Sequence, residues 1–554
     1  NRDMQNVLSN ITKYCLYVLA FLLPIFWLPF SFEMFEYNKQ YLLFFVVSLG
    51  LFAWLAKQVF YDKEIRFRHS KIDYLVLGFL FISIISAVFS VDQNSSLFGF
   101  YGRFSNGLIG LLGLGALYFL ITNTVENQKS SLGKILDLFL CSSFIAVLTG
   151  YLSIFEVWAR ISAFLPLPQV MLQPTFNLLA GSLEGLAVFL AVVAVLLTGL
   201  LLGKIKSIFY WLLLFASLGL LFIINFQPAW LILLAIMVLL VAAVLAKRIF
   251  REDVNRLFIP IFLIVIAAVM MFWQPFKINL PQEQVLPQNL SWEVAAKSAT
   301  DNVKNGLLGT GIGTFQYDFS KYKPQVFNQN WMWQIRFDRA GSHFAELLGT
   351  IGFIGLIVYA GMIALFLLIS WFCLSKDFAG LPMVLAFAAL VASQFIYYQN
   401  TSLAFLFWLV LGLSAVAWQE KYPALIREKK ISFKNFPEAS LLFLTLVVIL
   451  GVAFSALYFY GVKYYLADVD YLKALSTLGD SRVNGLESAV NQNPALPAYR
   501  TVLARTYLVE ALQEMQKPKA EQAPEKIQTL VARAIDQARA ATALQPNQVA
   551  NWET

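Results

Sequence analysis

The 554-residue chain has only two histidines, three cysteines and few charges, with charged residues at 13%. Each scarcity excludes something. Cys15, Cys141 and Cys373 lie far apart, each in or at the edge of an apolar stretch, so they cannot form a ligand cluster with one another and read as small buried hydrophobes. His69 sits within the basic run "RFRHSK" and reads as inert, which leaves His343 as the candidate imidazole. The missing charge is replaced by 59% hydrophobic residues and a mean hydropathy of +0.67. A water-soluble domain has nowhere to put that much apolar surface, so the solvent for most of this chain is lipid.

What is present is a series of about thirteen apolar runs, each long enough, at roughly 17–25 residues, to cross a bilayer as a helix. They fall near 11–32, 41–61, 73–91, 107–123, 133–157, 177–203, 208–225, 229–246, 257–275, 346–373, 379–398, 403–418 and 439–460. The first run lacks a small-residue cleavage site and reads as a true span, not a signal peptide.

Cations are distributed unevenly between these runs. Lys63, Arg66, Arg68, Lys71, Lys204, Lys206, Lys247, Arg248, Arg251 and Arg256 fall in one set of connections, with Lys421, Arg427, Lys429, Lys430 and Lys434. The opposite short loops hold little beyond Lys39, Arg103 and Arg160. By the positive-inside rule the amino terminus is cytoplasmic, and the long loop 276–345 and the carboxy-terminal region lie outside the cytoplasm. The net charge of +8 thus reflects topology, and no face suits nucleic acid.

Four regions follow: spans in 1–275, a large external loop in 276–345, further spans in 346–460, and a polar, Ala-rich tail in 461–554. Within the tail, "LESAVNQNPALPAYRTVLARTYLVEA" is echoed by "ARAIDQARAATALQPNQVANWE", with Pro494 and Pro546 each ending one helix and permitting the next. The charged stretch "QKPKAEQAPEK" marks a loop between the two units. The tail resembles tetratricopeptide-repeat hairpins, arrays that bind protein partners.

Chemistry is expected in the large loop. Trp292–Asn305 has helical spacing, and "GLLGTGIGTF" breaks it. Gly306, Gly309, Gly311 and Gly313 do not match nucleotide-binding spacings and read as a tight structural turn. Next comes "NWMWQIRFDRAGSHFAELL". Arg336, Arg339 and His343 stand at i, i+3 and i+7, with Glu346 one turn onward, so an early helix start puts all four on one face. Alternatively Ser342 is the N-cap and His343 opens the first turn. Either arrangement places cations and free N–H groups at a positive helix end, which favours an anion such as phosphate. Arg103, in "SSLFGFYGRFSNG", and Lys321 and Lys323 are further candidate phosphate contacts. Glu33 and Glu36 follow the first run, and "DVD" at Asp468 to Asp470 is too short to be specific for metal and sugar nucleotide.

"SVDQNSSLFGFYGRFSNGL", "SWEVAAKSATDNVKNGLLGTGIGTF", "FDRAGSHFAELLGTIGFIGL" and "LAFLFWLVLGL" occur in the order found in the O-antigen ligase and polymerase superfamily, and with the topology the resemblance covers most of residues 70–420. The resemblance implies transfer of a glycan from undecaprenyl pyrophosphate to an acceptor hydroxyl on a glycan, lipid or protein, outside the bacterial cytoplasmic membrane. Neither metal nor other cofactor is implied, because pyrophosphate is the leaving group. External arginines would hold it and a histidine at the head of the post-loop span would deprotonate the acceptor. The chain departs from the pattern at two points. Counted back from Gly352 and Gly355 by the family's spacing, its His-Asn pair falls on Gly341 and Ser342, two places before His343, a rotation of roughly 200° on a helix. Ser291 stands where an arginine precedes the loop tryptophan, Trp292.

The expected protein is therefore an all-α, polytopic membrane protein of about 12–13 transmembrane helices, GT-C-like, with a large external loop and a helical repeat tail. Arg103, Arg336, Arg339 and Lys321 are expected to bind pyrophosphate, His343 to act as base and Glu346 to orient it. Its partners would be the lipid-linked donor, the acceptor, membrane lipids and a protein recruited by 461–554. The competing expectation is an inactive member acting as an envelope scaffold. A transporter or flippase is disfavoured, since no ionisable pairs stand at mid-span and no two-fold pattern of broken helices is evident.

Overall fold

A computed structural model describes residues 2–102, 106–125, 129–179, 181–203, 207–247, 253–273, 280–329, 331–374, 380–421, 426–433 and 437–553. Every one of the thirteen apolar runs contains a helix. Among the described residues nine helices are long and apolar enough to cross a membrane, from Glu36–Asp62 to Ser440–Leu475. Leu108–Thr124, Ile208–Ile224 and Leu381–Ile396 are shorter apolar helices, and Arg2–Leu22 covers the first run. Helix is the outcome lipid imposes, because it satisfies each backbone N–H and C=O within its own segment.

Burial sorts these helices. Leu183–Leu202 and Thr401–Trp418 are each 94% buried over their apolar windows and form the centre, whereas Ser440–Leu475 is only 6% buried and lies at the edge of the bundle. A helix apolar on every face is expected at either place, and only packing separates the two.

Three boundaries differ from the sequence reading. The first helix ends at Leu22, two residues before Pro24, which biases the preceding backbone away from helix. The chain from there to Phe35 is irregular, and Phe35 packs in an apolar cluster with Phe176 and Leu178. The last helix, Pro437–Leu475, runs through the expected boundary at 460, and its Ala467, Tyr471 and Ala474 join the core of the tail. Two cation-rich connections, read as loops, pair as antiparallel strands Glu64–Ser70 and Ile426–Ser432, with Arg68 opposite Glu428. The fold is thus mostly helical with one two-stranded sheet.

The fourth difference bears on function. The span expected as one run over 346–373 is a broken helix, His343–Leu374, interrupted at Gly352 with φ 73°. The glycine-rich turn fills the break: Thr310 N–H donates to Gly349 O at 3.1 Å and Gly311 N–H to Thr350 O at 2.9 Å. A Cβ on Gly352 would stand 2.6 Å from Gly309 N, so the approach needs glycine. The half before the break is buried from Phe344 to Ile351, leaving the half after it as the spanning part.

Beyond the last long helix, Asp480–Gln492, Pro497–Met515, Pro524–Leu544 and Val549–Trp552 form the tail. Helices end before Pro494 and Pro546 and resume at Pro497 and Val549, as the repeated pattern requires. The tail folds back on the connections at one end of the bundle. Asn547 Nδ2 donates to Val91 O at 2.7 Å, Gln545 Nε2 to Ser95 Oγ at 3.0 Å and Asn94 Nδ2 to Ala495 O at 2.6 Å.

Candidate functional site

Residues just before the broken helix set the site. Ser342 is its N-cap, with Oγ accepting from Ala345 N–H at 3.2 Å. Ahead of it, Gly341 is pinned between Ser291 Oγ, which accepts its N–H at 2.8 Å, and Gln288 Nε2, which donates to its carbonyl at 2.6 Å. Ser291 thus serves as an anchor for this turn. Because 335–342 is not helical, Arg336, Arg339 and His343 do not share a helical face, and the early-start geometry is corrected to the late one.

The side chains diverge accordingly. Arg336 pairs with Glu553 at the end of the tail, and Lys321 pairs with Asp301 at 3.0 Å on the surface. Arg103 lies outside the described residues. Of the expected phosphate contacts, Arg339 alone among the described residues is buried, at 5% exposure. Its guanidinium lies 4.2 Å from the ring centre of Tyr398. Nη2 is 3.7 Å from Glu36 Oε1, and Nε is 3.7 Å from Asp338 Oδ2. Among the described residues none of its three guanidinium nitrogens has a hydrogen-bond acceptor. Burial opposes its charge most strongly, but Glu36, Asp338, Tyr398 and Glu283 together hold its pKa above the ordinary arginine value.

Acidic groups surround this cation. Tyr398 OH donates to Glu283 at 2.7 Å and Tyr397 OH to the same carboxylate at 2.9 Å. Glu283 N–H in turn donates to Glu184 at 2.9 Å. Glu33 accepts from Phe35 N–H at 3.0 Å and Tyr37 N–H at 2.6 Å. Burial, helped by Glu36, pushes the Glu33 carboxyl up to about 7. Glu33, Glu36, Glu184 and Glu283 line one open cavity of about 410 Å³ with Ser182 and Thr175. Such a wall offers acceptors for hydroxyl groups, and the described residues place carboxylates along the cavity, one of them, Glu36, 3.7 Å from Arg339, where a cluster of cations was expected.

His343 opens the broken helix, four residues after Arg339. Its N–H donates to Tyr397 O at 3.3 Å and its ring meets Tyr359 edge-on at 5.8 Å. His343, Glu346 and Asn106 line a second, small cavity of about 40 Å³. Asn106 Nδ2 donates to Glu346 Oε1. Among the described residues His343 Nδ1 and Glu346 Oε2 each lack a hydrogen-bond partner, so Glu346 does not orient the imidazole as expected.

Alongside the acidic cavity runs an oily groove of about 480 Å³, walled by Tyr37, Tyr41, Phe44, Tyr101, Leu457 and Tyr460. Tyr37 follows Glu36 directly, so the groove and the cavity share the first turn of the helix Glu36–Ala56. Glu283, Asp338, Asn106 and Tyr398 were not singled out from the sequence. Tyr398 had a signal in "YYQNTS", a polar interruption between two apolar runs. The "DVD" triplet is structural: Asp468 accepts from Tyr101 and Tyr499, and Asp470 from Ser488 and Gln492. Among the described residues no group of three His, Cys, Asp or Glu side chains is placed to hold a metal ion. Comparison with protein-family models and with curated proteins finds no match to this chain.

Proposed function

We propose that the chain is a membrane glycan transferase of O-antigen ligase type, moving a glycan from a polyprenyl pyrophosphate to an acceptor hydroxyl outside a bacterial cytoplasmic membrane. The observation that carries this reading is Arg339, a charged guanidinium buried with none of its nitrogens hydrogen-bonded among the described residues. A buried donor of this kind costs free energy unless a ligand supplies the acceptor, and a phosphate oxygen does so as a charge-assisted bond. The adjoining groove has the apolar lining a polyprenyl tail requires, and the carboxylates of the 410 Å³ cavity suit sugar hydroxyls.

In this reaction the acceptor oxygen bonds to the anomeric carbon while the bond from that carbon to the pyrophosphate oxygen breaks. The acceptor proton passes to a base, for which His343 is the candidate because its Nδ1 is unpartnered among the described residues. Negative charge grows on the departing pyrophosphate, and Arg339 stabilises it where water is excluded. With the amino terminus cytoplasmic, the cation-rich connections face the cytoplasm and the tail, read as repeat hairpins, faces outward.

Reconstitution in liposomes with a polyprenyl pyrophosphate-linked glycan tests the reading. Arg339→Ala is expected to lower transfer by on the order of 10²-fold or more, with insertion unchanged. Full transfer by that variant ends the reading. The alternative is a scaffold without catalysis, and one observation favours it: no hydrogen bond among the described residues joins His343 to Glu346. Deleting 461–554 would then abolish the phenotype while Arg339→Ala and His343→Ala leave it intact.

A further inference from the structure

Asp468 stands near the end of the long helix Pro437–Leu475 and is 1% exposed. Its carboxylate accepts from three segments remote in sequence. Tyr101 OH donates to Oδ1 at 2.6 Å, Tyr499 OH to the same oxygen at 2.8 Å, and Phe32 N–H to Oδ2 at 2.7 Å. Aromatic rings close around it. Phe32 stacks on Tyr101 with ring centres 5.5 Å apart. Tyr471, three residues on, meets Phe32 at 5.5 Å, Tyr101 at 6.1 Å and Tyr499 at 4.7 Å.

Two of these three donors sit next to walls of the acidic cavity. Phe32 precedes Glu33, and Tyr101 precedes Gly102, both of which line it. Tyr101 also walls the oily groove. The third donor, Tyr499, is fully buried in the first turns of the tail helix Pro497–Met515. One acceptor therefore ties the tail to two of the segments that line the cavity. An apolar residue would remove the acceptor that Phe32 N–H and the two phenols share, at a cost in free energy.

We propose that Asp468 is a positioning residue through which the helical tail holds the loops at 31–35 and 98–102 in the geometry of the cavity. The tail is then part of the site's construction in addition to any partner it binds. Asp468 joins Tyr499 to Phe32 and, beside the direct ring contact of Tyr499 with Tyr101, to Tyr101, and Glu33 and Gly102 lie one residue beyond Phe32 and Tyr101. The inference concerns the shape of the cavity and stands apart from the chemistry proposed for it.

Hydrogen–deuterium exchange on the full chain in lipid nanodiscs tests it, using Asp468→Leu and the milder Tyr499→Phe, which keeps the ring and removes only the hydroxyl. Both are expected to raise exchange several-fold at 31–35 and 98–102, with no change in the strand Glu64–Ser70, which pairs with Ile426–Ser432 in a different part of the fold. Exchange in Tyr499→Phe equal to wild type at both loops overturns the proposal even if Asp468→Leu fails to fold, as does a rise spread evenly through the strand. If the wild type transfers glycan, Tyr499→Phe is expected to raise KM several-fold while kcat holds. A fall in kcat with KM unchanged also overturns it. If the wild type transfers none, the transferase reading falls and the exchange result alone decides the positioning role.

Discussion

The guanidinium of Arg339 lies 4.2 Å from the ring centre of Tyr398, whose hydroxyl is hydrogen-bonded to Glu283. The ring thus separates a buried cation from a carboxylate on the cavity wall while contacting both. Cation–π attraction in a desolvated place is worth about 2 kcal/mol, less than the cost of burying an arginine, and the nearby carboxylates offset more of it.

Replacing Arg339 by Leu removes the cation and leaves Glu36 and Asp338 facing an apolar side chain. Breaking such a buried pair costs on the order of 3–5 kcal/mol, so the thermal midpoint is expected to fall by several degrees. Adding Glu36→Gln should restore part of that loss, because the uncompensated charge goes with it. A second change that deepens the loss would show that Glu36 is held by something other than Arg339.

Asp318 governs a pH effect. It is fully buried, accepting from Ser298 at 2.8 Å and Thr310 at 3.0 Å, and burial pushes its carboxyl up to about 7. An unfolded aspartate has a pKa near 3.9, so between about pH 4 and pH 7 the folded state binds the extra proton. Stability from this group is present at low pH, falls as pH rises through that window and is level above it. Thermal midpoints measured from pH 4 to 8 should show the decline, and Asp318→Asn should flatten it.

Gly352 and Gly361 lie in the same helix and predict opposite outcomes. Alanine at Gly352 must adopt φ 73° and meet Gly309 N at 2.6 Å, whereas alanine at Gly361 meets nothing within 4 Å. Strain of this kind costs about 1–3 kcal/mol before the backbone clash is added. Gly352→Ala is expected to lower yield and melting temperature, and Gly361→Ala to leave both unchanged or slightly improved.

Arg336 provides the contrast to Arg339. Its partner Glu553 is half exposed, with a side-chain exposure of 54%, and such surface pairs contribute about 1 kcal/mol or less. Arg336→Ala should therefore leave transfer near wild type and loosen the tail's end slightly, detectable as faster exchange around Trp552. Loss of transfer comparable to Arg339→Ala would restore Arg336 to the site.

Much of this architecture was legible in advance for a physical reason. Partition between lipid and water acts on each segment by itself, so Leu183–Leu202 declares an apolar helix of spanning length through composition alone. Ser342 as an N-cap and the helix stops before Pro494 and Pro546 are likewise local, each decided by the backbone donors and dihedrals of a few residues. The same locality explains why Trp292 fell within a helix, Gln288–Thr300.

Elsewhere the decision was made by neighbours distant in the chain. Nothing around Gly352 announces a break until the turn from Gly309 to Gly311 comes to fill it. Nothing around Glu36 tells it from a solvated loop acid until Arg339 and Thr401 stand beside it. Arg336 and Arg339, three residues apart and alike in type, ended in opposite surroundings because the chain between them is not helical, one pairing with the tail and the other buried in the protein. Solvent preference acts residue by residue and can be read from one strip of sequence. Close packing and paired charge depend on which strips meet, and that follows only once the whole bundle has closed.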